Sequence, residues 1–101
     1  MARVLARQYS LDVSQFVKVI DCESKFKPTV QSNHYYKDDY YIKELRGKRE
    51  LSFGIAQIHE PSHPTITREQ AYNPLYSLEW MAKQWASGNE EMWSCYNDLY
   101  K

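Results

Sequence analysis

The chain has 101 residues with 13 basic and 13 acidic side chains, and its formal net charge is zero. This length favours one domain around one modest core, which we place over residues 1–101. The balanced charge argues against a nucleic-acid-binding protein, and no apolar run approaches the roughly 18 residues of a membrane-spanning helix.

The first ten residues, "MARVLARQYS", do not have the pattern of a signal peptide. They lack a long apolar stretch and carry Arg3 and Arg7. We therefore expect a cytosolic or phage-borne protein, or a trimmed or designed form of an exported one.

The next segment has the apolar spacing of a helix. Positions i, i+3, i+4 and i+7 are occupied by Val13, Phe16, Val17 and Ile20. Asp12 or Ser14 could cap the start of this helix, and Pro28 in "SKFKP" must end it.

Residues 33–50, "NHYYKDDYYIKELRGKRE", are polar and aromatic with weak periodicity. We predict one long irregular loop, or a hairpin, or a short helix that ends at Gly47. The short apolar piece "SFGIAQI" follows, with a glycine inside it.

Residues 59–63 read "HEPSH", which has the form of the H-E-x-x-H zinc-protease signature. The two imidazoles share a face only if the segment is helical. Pro61 lacks an N–H and pushes Glu60 out of the α region, so we predict a loop and no metal site.

Three helix starts are predicted in the last third of the chain. Thr67 to Gln70 has the form of a capping box, and Asn73 followed by Pro74 is a favourable N-cap and N1 pair. The next apolar stripe comprises Leu75, Leu78, Met81, Ala82 and Trp85. Gly88 ends this helix, and Asn89 could cap a last one that carries Met92, Trp93, Tyr96 and Leu99 or Tyr100. The fold class is therefore mainly α.

One carboxylate falls on an apolar helical face. Glu23 lies three residues after Ile20 and seven after Phe16, at the end of the first helix. Apolar surroundings and the helix C-terminus both raise a carboxyl pKa, which suits a general acid for glycosidic cleavage. The alternative is an ordinary helix-end residue that bends into solvent.

Three stretches occur in one order: "CESKFKPTVQS" (22–32), "SFGIAQIH" (52–59) and "WSCYNDL" (93–99). Together they resemble the lytic-transglycosylase and goose-type lysozyme family. Its hallmarks are E-S-x-F-x-P-x-x-x-S, G-L-M-Q-I and a late A-Y-N-x-G. The resemblance implies a small, single-domain, lysozyme-like fold that cleaves the β-1,4 bond from N-acetylmuramic acid to N-acetylglucosamine in peptidoglycan.

By this resemblance Glu23 is the catalytic acid. The residues that it implies for substrate binding are Ser24, Ser52, Gly54, Gln57, Tyr96 and Asn97. The tyrosine would point toward the acid, and the glycine would let the backbone approach the sugar. Gly54 could instead serve only a tight turn, Gln57 could lie on the surface, and Tyr96 could belong to the core.

The chain also departs from the family. A long segment separates the first two motifs, and Lys48 stands where goose-type hydrolases carry an aspartate. We therefore expect a lytic transglycosylase that needs one carboxylate. Asp38, Asp39 and Glu50 are possible second carboxylates for a hydrolysing lysozyme. A non-catalytic peptidoglycan- or chitin-type glycan-binding module that stacks sugars on its tyrosines is the alternative from another class.

Cys22 and Cys95 are too few to form a structural zinc site alone. They either pair or remain buried free thiols, and the resemblance favours a disulfide. Pairing would close a loop of about 70 residues and stabilise the fold by roughly 4 kcal/mol in the chain-entropy model. We expect an extracytoplasmic monomer, secreted or phage-associated, that binds peptidoglycan glycan strands without a cofactor.

Overall fold

The computed structural model describes residues 1–101 and contains five α-helices, three short 3₁₀ turns and one two-stranded sheet. With the 3₁₀ turns included, the chain is 52% helical. The helices are α1 (Ala2–Gln8), α2 (Val13–Ser24), α3 (Arg68–Tyr72), α4 (Pro74–Ala86) and α5 (Ser94–Tyr100). The strands β1 (Ser52–Phe53) and β2 (Ile58–His59) are antiparallel. The predicted mainly α class is confirmed. None of the helices has the length and apolarity needed to cross a bilayer.

Helix α2 forms where the apolar periodicity predicts it. The Asp12 carboxylate accepts the N–H of Gln15 at 3.0 Å, which is the N-cap bond. The helix buries Phe16 and Ile20 completely. It ends where Lys25 adopts a left-handed conformation with φ of 52°. This end places Glu23 on the last turn, beside the core.

The sequence-based predictions miss α1. Its buried residues Ala2, Leu5 and Ala6 follow i, i+3, i+4 spacing and pack against α2 and α4. The apolar side of the helix is short, and two of the three residues are alanines. The periodic signal was therefore present but weak.

The capping box of α3 is confirmed, because the Thr67 hydroxyl accepts the N–H of Gln70 and the Gln70 side chain accepts the N–H of Thr67. Helix α4 begins at Pro74 as predicted. Leu75, however, is 52% exposed, so the prediction that it belongs to the buried stripe is wrong. Ser77 occupies the buried side of this first turn, where its hydroxyl accepts the N–H of Ala56 at 3.2 Å.

The start of the last helix was predicted too early. Asn89 precedes a 3₁₀ turn, Glu90–Met92, and caps nothing with its side chain. Helix α5 begins only at Ser94, because Trp93 is held in an extended conformation. The buried Trp93 indole N–H donates to the carbonyl of Ala56 at 2.7 Å. That long-range bond holds Trp93 in place, and the helix begins at the next residue.

Residues 33–50, which we call the excursion, form a hairpin-like ladder. The hairpin is one of the three alternatives that the sequence predicts for this segment. The N–H of Tyr36 donates to the carbonyl of Lys48 at 2.8 Å, and the N–H of Glu50 donates to the carbonyl of His34 at 2.8 Å. A bridge joins Tyr35 to Arg49. The far end of the excursion contains a 3₁₀ turn, Lys43–Leu45. The excursion is therefore an ordered hairpin.

A disulfide joins Cys22 on α2 to Cys95 on α5, with 6.1 Å between their Cα atoms and a sequence separation of 73. The predicted pairing is confirmed. The bond ties the last helix to the residue that directly precedes Glu23.

Reduction of this disulfide is expected to lower the free energy of unfolding by about 4 kcal/mol, because the denatured chain gains the freedom of a long open loop. Denaturant unfolding with and without a thiol reductant measures the difference. Finding two free thiols in the unfolded, unreduced protein would contradict the bridge on which this expectation depends.

Candidate active site

One open cleft of about 1030 Å³ contains the residue predicted to be catalytic. Its walls come from the end of α2, the excursion, the β1–β2 hairpin and the start of α5. Among the residues that line it are Glu23, Tyr35, Glu50, Gln57, His59 and Ser94. The three stretches that carry the family resemblance therefore contribute to one surface.

Glu23 is half-buried in this cleft, and burial is the main reason that its pKa is raised from 4.5 to about 7. The negative charges of Glu50 and Asp98 raise the pKa further. His34 and a long hydrogen bond of 3.5 Å from the Ser94 hydroxyl lower it. A pKa in this range lets the group both donate and accept a proton near neutral pH.

Glu50 is the one predicted second carboxylate that the structure brings to the cleft. Its Oε1 accepts the hydroxyl proton of Ser52 at 2.8 Å, so the predicted site residue Ser52 holds this carboxylate in place. Asp38 and Asp39 are exposed at a turn of the excursion and do not line the cleft. Lys48 is also exposed and outside the cleft.

Gln57 lines the cleft with a backbone that a non-glycine residue rarely adopts, since its φ is 52°. Its side-chain amide donates to the carbonyls of Gly54 at 2.9 Å and Val30 at 3.3 Å. These bonds use the amide nitrogen and leave the amide oxygen as the group that can accept from a ligand. Strained, half-buried residues of this kind are concentrated at functional sites.

Ser24 and Gly54 stabilise the scaffold of the site. The buried Ser24 hydroxyl donates to the carbonyl of Ile55 at 2.7 Å, which holds the end of α2 against the hairpin. At Gly54, φ is 83°, and a Cβ atom would lie 1.8 Å from the carbonyl oxygen of Ala71. Gly54 therefore faces α3 and does not line the cleft.

Tyr96 and Asn97 are not brought to the cleft. The Tyr96 ring packs at the edge of the core, 5.4 Å from the Trp85 ring. The Asn97 side-chain amide donates to the carbonyl of Glu91 at 3.0 Å. The structure thus places Tyr96 in the core position that the sequence left open as its alternative.

Helix α5 instead presents Ser94 and Asp98 to the cleft. Sequence reasoning missed both, and it also missed His34 on the excursion. For Ser94 a signal existed: it directly precedes Cys95, so the disulfide brings it beside Glu23. His34 could not be found without the pairing of the excursion.

The "HEPSH" segment is not an α-helix, as predicted, because Glu60–Ser62 is a single 3₁₀ turn that follows β2. His59 bonds through Nε2 to the Tyr36 hydroxyl at 2.7 Å and through Nδ1 to the Ser62 hydroxyl at 2.7 Å. Both ring nitrogens are thereby occupied. No group of three His, Cys, Asp or Glu side chains is arranged to hold a metal ion.

Comparison with known proteins finds no matching family model, no similar curated protein and no similar solved structure.

Proposed function

We propose that this protein is a lytic transglycosylase that cleaves the β-1,4 bond between N-acetylmuramic acid and N-acetylglucosamine in peptidoglycan, within a lysozyme-like fold. The observation that carries the proposal is Glu23, a half-buried carboxyl with a pKa of about 7 in an open cleft of about 1030 Å³. Its place in the "CESKFKP" motif, which resembles that of the lytic-transglycosylase family, gives the second support.

In the proposed reaction Glu23 first protonates the oxygen of the leaving N-acetylglucosamine as the bond to muramyl C1 breaks. The resulting carboxylate then removes the proton from the muramyl 6-hydroxyl, and the 6-oxygen bonds to C1. The product is a 1,6-anhydromuramyl end, and Glu23 regains its proton. One carboxyl group that changes between acid and base is sufficient for this route.

Hydrolysis by a lysozyme-type muramidase is the second candidate, because Glu50 shares the cleft and its charge acts on Glu23. Ordinary glycosidases use two carboxyl groups on either side of the scissile bond. In this scheme Glu50 would activate a water molecule or stabilise the positive charge at C1. The exposed Asp38 and Asp39 lose support as second carboxylates, since both lie outside the cleft.

Digestion of purified peptidoglycan is expected to give mainly 1,6-anhydromuramyl products. A tethered 6-hydroxyl has the advantage of proximity over water. Mass spectrometry separates the outcomes, because an anhydro product lacks one water relative to a reducing one. Mainly reducing ends that disappear in Glu50→Gln would instead establish hydrolysis through Glu50.

The proposed substrate lies outside the cytoplasm, so we further propose that the protein acts as an extracytoplasmic monomer, secreted or associated with a phage. The Cys22–Cys95 disulfide is compatible with such an oxidising location. A turbidity assay on cell walls tests the function directly. Binding to the walls without clearing would favour a glycan-binding module over an enzyme.

A further inference from the structure

The excursion has no counterpart in the motifs that resemble the lytic-transglycosylase family, yet it forms one wall of the cleft. Four of its aromatic and charged side chains that line the cleft are His34, Tyr35, Lys37 and Tyr40. A wall that contacts substrate must be held in place, and the hydrogen bonds of the excursion show how it is held.

The anchor of this wall is Tyr36, which is 6% exposed. Its hydroxyl accepts the N–H of Leu51 at 3.1 Å and is hydrogen-bonded to Nε2 of His59 at 2.7 Å. The other ring nitrogen of His59, Nδ1, is hydrogen-bonded to the Ser62 hydroxyl at 2.7 Å. Burial lowers the pKa of His59, which keeps the ring neutral and this chain of bonds intact at neutral pH.

A second set of bonds fixes the base of the excursion. The Arg49 guanidinium donates to the carbonyl of Ser32 at 2.6 Å, to the carbonyl of Gln31 at 3.1 Å and to the Asn33 side chain at 3.2 Å. Tyr35 bridges to Arg49 in the ladder, so the same arginine that fixes the base of the excursion also pairs with the Tyr35 backbone. The position of the Tyr35 backbone is therefore set before any ligand binds.

Tyr35 and its neighbour Tyr36 both line the cleft but differ in exposure. Tyr36 is buried, whereas Tyr35 is 66% exposed. An exposed aromatic ring at the wall of the cleft has an apolar face that a ligand in the cleft can cover. The ring of Tyr40, which also lines the cleft, packs 4.4 Å from that of Tyr36.

We propose that Tyr35 is a stacking platform for a pyranose ring of the glycan strand that occupies the cleft. The C–H groups on one face of a pyranose are apolar and pack on the face of an aromatic ring through dispersion and burial of apolar surface. This assignment rests on the proposed function for the identity of the glycan. It adds a specificity residue that the short motifs do not contain.

The excursion also supplies a matched control. Tyr41 is 75% exposed and lies in the same hairpin, but it does not line the cleft. Its ring packs 4.7 Å from that of Tyr40. Replacement of Tyr41 removes an exposed tyrosine of the same kind without touching the proposed stacking surface.

The test is isothermal titration of a soluble tetrasaccharide of alternating N-acetylglucosamine and N-acetylmuramic acid, with Glu23→Gln as the background so that no bond is cleaved. Adding Tyr35→Ala is expected to raise Kd about tenfold. Tyr35→Phe keeps the ring and should bind within about twofold of the background, as should Tyr41→Ala. An unchanged Kd in Tyr35→Ala, an equal loss in Tyr41→Ala, or no binding by the background protein overturns the proposal.

Two measurements separate this inference from the proposed function. If the wild-type protein clears cell walls and Tyr35→Ala leaves Kd unchanged, the enzyme proposal stands and the stacking role fails. If the wild-type protein does not clear walls but binding depends on Tyr35, the cleft is a glycan-binding site without catalysis. Near-ultraviolet circular dichroism of each variant verifies that the fold is retained.

Discussion

Replacing Glu23 with glutamine is expected to reduce the rate of cell-wall lysis by about 10³-fold or more. The amide has nearly the same shape as the carboxyl group but cannot protonate the leaving oxygen. Clearing of a cell-wall suspension measures the effect. Asp21→Asn is the matched control, because Asp21 lies in the same turn of α2 with an exposed side chain and should clear walls like the wild type.

The same variant tests the environment of Glu23. Since the folded-state pKa of about 7 exceeds the ordinary 4.5, the stabilising contribution of the protonated group is complete below pH 4.5. It is lost as the pH rises through 7, where the buried carboxyl must ionise. Glutamine does not ionise, so the melting temperature of Glu23→Gln should rise relative to that of the wild type as the pH is raised from 5 to 8.

Substantial cell-wall lysis by a properly folded Glu23→Gln variant would contradict the catalytic role of Glu23.

Local signals predicted most of the helical fold. The Asp12 cap of α2, the capping box at Thr67 and the Asn73–Pro74 start of α4 all depend on residues within one turn of each other. Such interactions can be identified from a short window of sequence. The start of α5 could not, because it is set by the bond from the Trp93 indole to the Ala56 carbonyl, 37 positions away along the chain.

The candidate site was predictable to a similar degree. The helical spacing of Glu23 placed it on the apolar face, and its pKa is raised as that position implies. Which carboxylate joins it depends on the pairing of the excursion, in which the carbonyl of His34 accepts the N–H of Glu50. That pairing turns Glu50 into the cleft and leaves Asp38 at an exposed turn. Weak periodicity in residues 33–50 gave no means of choosing between them.

Tyr96 illustrates the limit of transferring a motif without its surroundings. Its position in "CYND" fits a tyrosine that points to the acid, but its ring packs against Trp85 and lies 5.6 Å from that of Tyr100. The aromatic rings of Trp85, Tyr96 and Tyr100 pack against one another at the edge of the core. Ser94, two residues earlier in α5, makes the contact with Glu23 instead.

Gly54→Ala is expected to destabilise the protein by about 4–6 kcal/mol, which combines the cost of overpacking with that of a strained backbone. The new Cβ would lie 1.8 Å from the Ala71 carbonyl oxygen and 2.7 Å from its carbon. Both atoms belong to the backbone of α3 and cannot move aside as a flexible side chain could. The loss is comparable with the total stability of many small domains, so the variant should be largely unfolded at 37 °C.

Gly88→Ala separates the steric cost from the conformational one. Gly88 has φ of 82°, almost the same as the 83° of Gly54, but a Cβ there would meet nothing within 4 Å. Only the left-handed conformation of an alanine is then unfavourable, at about 1–2 kcal/mol. Denaturant unfolding of both variants measures the difference. Equal losses would show that contact with α3 does not limit residue 54. A larger loss in Gly54→Ala would establish that the backbone of α3 fixes the turn from which Gln57 enters the cleft.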